Sequence, residues 1–245
     1  MIRVLVWNEF QHEKTKPNVA DIYPNGIHNA IADFLRCDDI TVKTATLDDE
    51  NCGITKEVLD ETDVLIWWGH MAHNKVPDEV AALVRDAVLE GMGMVFLHSA
   101  HHSKPFKALL GTSCNLTWRE TGDSETLCVI EPADPITQGI DRYFTLEHEE
   151  TYGEPFVIPT PDKLLFIGSF SGGEVFRSGC LFERGNGKIF YFQPGHETYP
   201  TFKVPEVQNV IRNAVRYVAP IYRQRVGCPK VRKITDEGAY VERDL

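Results

Sequence analysis

A chain of 245 residues, 42% hydrophobic and 25% charged, carries enough apolar material for one large α/β domain. Its formal net charge of −11, from 25 basic against 36 acidic residues, argues against a general binder of nucleic-acid backbones, whose affinity rests on Lys/Arg clusters. No apolar run approaches the roughly 18 residues of a membrane span, and MIRVLVWNEF is interrupted too soon for a signal peptide's core. Six cysteines (Cys37, Cys52, Cys114, Cys128, Cys180, Cys228) form no C-x-x-C pair and read as reduced thiols, most of them small buried hydrophobes. A cytoplasmic protein is expected.

Ile2 to Trp7 reads as a strand. Asn25 then stands as the cap of a helix whose apolar face is Ile27, Ala30, Ile31, Phe34 and Leu35. Ile40 to Thr46 alternates as a strand, Thr55 to Glu61 is a short helix, and DVLIWWG (Asp63 to Gly69) is a buried strand that puts Trp67 and Trp68 in the core. Pro77, Asp78 and Glu79 open a helix with Val80, Leu83, Val84, Ala87 and Val88 facing inward, and Gly91 closes it. The strand MVFL (Met94 to Leu97) follows, and Ser-Lys-Pro at 103–105 opens another helix. This βαβα rhythm implies a parallel sheet covered by helices on both faces.

From Gly111 to Phe170 only Thr126–Ile130 and Leu164–Ser169 read as strands, joined by loops rich in Pro, Gly and acidic residues. Two apolar runs flanking Arg184 to Lys188 predict a hairpin with Asn186-Gly187 at its tip. Val204 to Val218 is the last helix, and from Arg223 the chain is charged and aperiodic. The expected architecture is a single three-layer α/β domain over residues 1–222, mainly parallel with an antiparallel extension, and a surface arm over 223–245.

Ligands of an open parallel sheet bind outside the carboxyl ends of its strands. Seven of the nine histidines follow such ends: His12 after the first strand (with Glu9 and Glu13), His70 and His73 after DVLIWWG, His98, His101 and His102 after MVFL, and His196 (with Glu197) after KIFYFQ. A shared polar pocket holding at least three of them is expected, with His102 pointing elsewhere.

The order of these pieces resembles the class I glutamine amidotransferase-like fold. There an oxyanion strand ends in a glycine turn, a cysteine elbow follows, and a late strand ends in His-Pro-Glu. DVLIWWGH, MVFLHSAHH and FYFQPGHE stand in those three places, but the elbow position is His98, followed by Ser99. Without a thiol there is no thioester route, so glutaminase activity is not expected. A narrower resemblance, carried by WWGHMAH, LHSAHHSK, LEHEETYGEPF and PGHETYP, is to the ThuA (trehalose utilisation) family. That resemblance implies a flavodoxin-like α/β/α sandwich and a role in carbohydrate metabolism, often beside sugar dehydrogenases. It singles out Glu149, Glu150, Tyr152, Gly195 and His196 together with His98.

The residues themselves suggest chemistry. Crowded carboxylates raise one another's pKa, so Glu149 or Glu150, arriving from a loop, can shuttle a proton, whereas Glu147 reads as solvated. Histidines converging with a carboxylate also suit a divalent metal such as zinc, with His70, His98 and His196 as ligands. The expected catalytic set is His98, Glu149, Glu150, Tyr152 and His196; the expected substrate contacts are Glu9, His12, Gly69, His73, His101 and Arg119. No nucleotide cofactor is expected. The partner is a small-molecule sugar or keto-sugar, with no nucleic acid and no membrane, and a homo-oligomer is open. Three functions remain: a sugar-processing enzyme using acid–base and metal-assisted chemistry, a non-catalytic carbohydrate-binding or regulatory module, and a hydrolase using Ser99, Cys114 or Cys180.

Overall fold

The computed structural model describes residues 1–223. The expected arm therefore lies, apart from Arg223, outside the described residues. The strands are β1 (Ile2–Asn8), β2 (Ile40–Thr46), β3 (Val64–Trp68), β4 (Gly93–Leu97), β5 (Thr117–Val129), β6 (Tyr143–Gly153), β7 (Lys163–Phe170), β8 (Val175–Arg184) and β9 (Gly187–Phe192). They form one sheet in the order β2-β1-β3-β4-β9-β8-β7-β5-β6. The first five in that order run parallel, and β8, β7, β5 and β6 continue the sheet antiparallel.

Among the described residues seven helices, α1 (His12–Thr15), α2 (Pro17–Ile22), α3 (Ile27–Leu35), α4 (Lys56–Asp60), α5 (Asp78–Leu89), α6 (Lys104–Leu110) and α7 (Pro205–Val218), complete the fold. Alternate residues of each parallel strand point to opposite faces, so Val4, Val6, Ile66 and Val95 meet α3 and α7, whereas Leu5, Leu65, Trp67 and Phe96 meet α4, α5 and α6. Burial on both faces is what makes these strands continuous apolar runs, and it makes the molecule an α/β/α sandwich. Trp67 and Trp68 are sealed in it as expected, Trp67 stacking on Trp7 at 3.9 Å between centroids. No helix among the described residues is long and apolar enough to cross a membrane.

Local differences have physical causes. The cap of α3 is Gly26 rather than Asn25, at φ 84°, where a Cβ would strike the His28 ring. The hairpin turns one residue earlier than expected: Gly185, at φ 58°, and Asn186 form the turn, and Gly187 already pairs with Arg184. β5 and β6 are 13 and 11 residues long, so much of the stretch expected as loop is strand, including Glu149, Glu150 and Tyr152.

Candidate active site

The carboxyl ends of β1, β3, β4 and β9 lie side by side, and each delivers an imidazole: His12, His70, His98 and His196. At β4 the chain turns from the strand into a 3₁₀ turn over His98–His102, and His98 sits at φ 54°. A left-handed backbone is costly for a residue with a Cβ and persists where the surroundings enforce it. Here they do: the ring is fully buried and its Nδ1 lies 3.1 Å from the Gln193 carbonyl, which leaves Nε2 aimed into the site. At β9 the Pro-Gly-His turn needs Gly195 at φ 137°, where a Cβ would lie 2.6 Å from the Phe202 ring. His196 Nδ1 meets the Thr198 hydroxyl at 2.7 Å, so its Nε2 also faces inward.

β6 ends the sheet order, yet its C-terminal half reaches this edge, where the Gln193 amide donates to the Glu150 carbonyl at 3.0 Å. Glu150 Oε2 then lies 3.1 Å from His98 Nε2 and 4.0 Å from His70 Nε2. The rings of His70 and His98 are parallel at 5.5 Å, and His196 stands edge-on to both at 5.2 and 5.3 Å. One ligand atom from each of His70, His98, Glu150 and His196 falls within 4.8 Å of the others, and a second such group is His12, His70 and Glu197. His98 Nε2, His196 Nε2, Glu150 Oε2 and Glu197 Oε2 are all buried without a hydrogen-bond partner. The 3.1 Å approach of His98 to Glu150 is thus close but poorly aligned for an N–H donor. Unpartnered buried polar atoms are expensive and rare in native proteins.

Burial pushes His70 down to about 3 and His196 to about 4, so both are neutral imidazoles at neutral pH. His98 differs. Burial opposes its cation, but Glu150, with Glu149 and Glu197 behind it, raises its pKa overall. For Glu150 burial works against the charge, and His98, His196 and His70 nevertheless hold it below the ordinary carboxylate value. Glu197 is likewise desolvated, yet His12 and the surrounding imidazoles hold it well below that range.

The profile of the ThuA family, described as "Trehalose utilisation", matches residues 3–218. The chain belongs to the ThuA family. Solved structures agree on the fold. A ThuA-like protein from Bacteroides uniformis superposes with a TM-score of 0.64 at 16% identity, over 89% of this chain and 91% of that one. A protein from Salmonella typhimurium described as cytoplasmic gives 0.62 at 11% identity, over 89% and 100%. A glutamine amidotransferase from Thermotoga maritima gives 0.54 at 11% identity, over 89% and 97%. No curated protein matches the chain by sequence.

In this ThuA-family chain a cavity of about 300 Å³ opens against the cluster, walled by His70, His73, Ser99, His101, His102, Leu116, Trp118, Glu120, Glu150 and Tyr152. Of the residues anticipated as substrate contacts, His73 and His101 line it. His73 is pushed down to about 4 by burial, and His101 Nδ1 meets the Cys114 carbonyl at 2.8 Å. His102, expected to point elsewhere, lines the same wall. The remaining anticipated contacts are engaged outside the cavity. Glu9 accepts the backbone N–H groups of Met71 and Ala72, each at 3.0 Å, and so braces the His70 loop. His12 Nδ1 lies 2.8 Å from Glu197. Gly69 offers no side chain, and a Cβ there would touch the His73 ring at 3.4 Å. Arg119 is held by Glu174 and Asp123, because strand alternation turns it to the face opposite Trp118 and Tyr152.

The same alternation divides the anticipated catalytic set. Glu150 and Tyr152 face the site. Glu149 faces away, accepting from Gly195 N, His196 N and the Thr201 hydroxyl. Tyr152 OH and Ser99 Oγ lie 2.7 Å apart on the cavity wall. Burial pushes the Tyr152 phenol well above its ordinary pKa, so it gives Ser99 no base. Residues that sequence reasoning did not assign are Trp118 and Leu116 on the wall and Gln193 behind His98. Trp118 carried a signal, since a lone indole sits in the polar run Thr117 to Thr121.

Proposed function

We propose that this ThuA-family protein is an enzyme of sugar metabolism that acts on a keto-sugar or related glycoside, with a divalent metal such as zinc held by His70, His98, His196 and Glu150. The observation that supports it is the convergence of unpartnered, buried ligand atoms on one point beside the cavity. Zinc bonds of about 2.1 Å set tetrahedral ligand atoms about 3.4 Å apart, so a spread of up to 4.8 Å needs a contraction of at most about 1.4 Å. The Nδ1 contact of His98 with the Gln193 carbonyl supplies the outer partner that fixes a ligating imidazole's tautomer.

A metal bound there polarises a carbonyl or lowers the pKa of a bound water. The chain's own groups do the rest. Glu197 and Glu120, with oxygens 3.6 and 3.7 Å from His196 Nε2, are the carboxylates available to move a proton. Ser99 and Tyr152 offer hydroxyls to a sugar's own hydroxyl groups. The partner on this reading is a small-molecule sugar and neither nucleic acid nor membrane, in keeping with the net charge of −11.

Elemental analysis of purified protein, with thermal-shift titrations of sugars and keto-sugars, tests the proposal. Near-stoichiometric metal is expected in wild type and is lost in His98→Ala and His196→Ala, and ligands that bind the native state raise the melting temperature. Protein that retains no metal, takes up none when zinc is added, and responds to no sugar would end this reading. Sugar binding without turnover would make it a carbohydrate-binding module.

A further inference from the structure

The chain holds four tryptophans, and three of them, Trp7, Trp67 and Trp68, are at most 1% exposed. Trp118 is 66% exposed. It stands directly opposite Tyr152 in the β5–β6 ladder, and facing residues of a pair project to the same side of a sheet. Its indole therefore forms the apolar side of the cavity whose polar sides are Glu150, Tyr152, Ser99 and Glu120. Among the described residues no aromatic ring packs on it, and its indole N–H has no partner. A large, rigid apolar surface is thus held in water beside a group of hydrogen-bonding side chains.

Resting on the sugar reading above, we infer that Trp118 is the platform on which a pyranose ring of the substrate stacks. A chair-form pyranose has one face of axial C–H groups and an equatorial rim of hydroxyls. The first matches the flat face of an indole, and the second matches the Ser99 and Tyr152 hydroxyls and the Glu120 carboxylate. An open-chain polyol presents no such face and gains little from the indole. The cavity, about 300 Å³, lies at the small end of ligand sites, which run from about 300 to 1,000 Å³, so one ring enters and any second ring lies outside. Stacking on Trp118 sets the bound ring's polar edge toward His98 and Glu150, where the chemistry is proposed.

The sealed surroundings of the other three indoles make the test direct, because collisional quenching by iodide reports on Trp118. Trehalose, methyl α-D-glucopyranoside and a ketopyranoside are the probes, and sorbitol is the open-chain control. The pyranosides should shield wild-type fluorescence from iodide and sorbitol should not. By calorimetry Trp118→Ala should weaken pyranoside binding by about tenfold or more, a readily measured factor, while Trp118→Phe stays within about threefold. Metal content should be the same in all three proteins. Pyranoside affinity unchanged in Trp118→Ala, or sorbitol binding as tightly as the pyranosides, overturns the platform while leaving the sugar reading intact. Failure of wild type to bind any of the probes removes the sugar reading and this inference with it.

Discussion

Glu149 and Glu150 are consecutive in β6 and serve opposite sides of it. Glu150 Oε2 approaches His98 Nε2 at 3.1 Å, while Glu149 accepts the N–H groups of Gly195 and His196 at 3.1 and 3.0 Å and the Thr201 hydroxyl at 2.9 Å. Glu149 thereby fastens the turn that presents His196, and its own side chain does not line the cavity.

Their amide variants should separate these duties. Glu149→Gln sets an NH₂ group against backbone donors in a fully buried place, which costs about 3 kcal/mol, or roughly 6–12 °C of melting temperature. On the metal reading proposed above, Glu150→Gln removes a carboxylate from the ligand cluster and should melt near metal-free wild type while losing metal and turnover. Calorimetric melts with metal analysis check both, and equal destabilisation by the two changes would contradict the division.

The backbone of His98 makes a second, independent prediction. At φ 54° a short polar residue is tolerated and a β-branched one is strained. His98→Asn should fold with the stability of metal-free wild type but lose metal. His98→Val should lose metal and a further ~1–2 kcal/mol. Urea titrations decide it, and a valine variant as stable as the asparagine variant would show that the turn is not strained.

The parallel half of the sheet was legible because β1, β3, β4 and β9 are buried on both faces and so appear as unbroken apolar runs. Their ends located His70, His98 and His196. The antiparallel half was legible only in part: Thr126–Ile130, Leu164–Ser169 and the β8–β9 hairpin were anticipated, whereas the first part of β5 and nearly all of β6 were not. Of the thirteen residues of β5 only Glu125 and Leu127 are buried, so there is no apolar alternation to mark the strand, and Trp118 passed as part of a loop. Phe144 and Leu146 alternate at the start of β6, but five polar residues follow and hide the strand's continuation. Adjacent glutamates in an unrecognised strand cannot be told apart, because only strand register assigns Glu149 and Glu150 to different faces.

Glutamine hydrolysis should be absent. His98 occupies the elbow, and neither Cys114 nor Cys180 lines the cavity. Both are buried, and burial pushes the Cys180 thiol up to about 12 and raises that of Cys114. Iodoacetamide under native conditions should modify the exposed Cys37 before either, leaving metal content unchanged. Ammonia release from glutamine that iodoacetamide abolishes would refute this.

Glu125 predicts how stability varies with pH. It is fully buried in β5, its Oε1 accepting the Ser178 hydroxyl at 2.7 Å and its Oε2 unpartnered. The space around it is tight, since a Cβ on Gly168 would lie 2.1 Å from Oε1. Burial raises its pKa well above the ordinary value, and the Glu149 charge adds to this in spite of the Ser178 hydrogen bond. The folded protein therefore keeps a proton that the unfolded chain releases. The stability this group contributes is complete below the unfolded glutamate pKa. It is lost as pH rises toward the folded value, by about 1.4 kcal/mol per pH unit in between. Glu125→Gln cannot ionise and escapes that loss. Urea melts at pH 5, 6.5 and 8 should show the variant gaining on wild type as pH rises, with the gap smallest at pH 5. A difference that stays constant with pH would mean that Glu125 is charged in the folded protein.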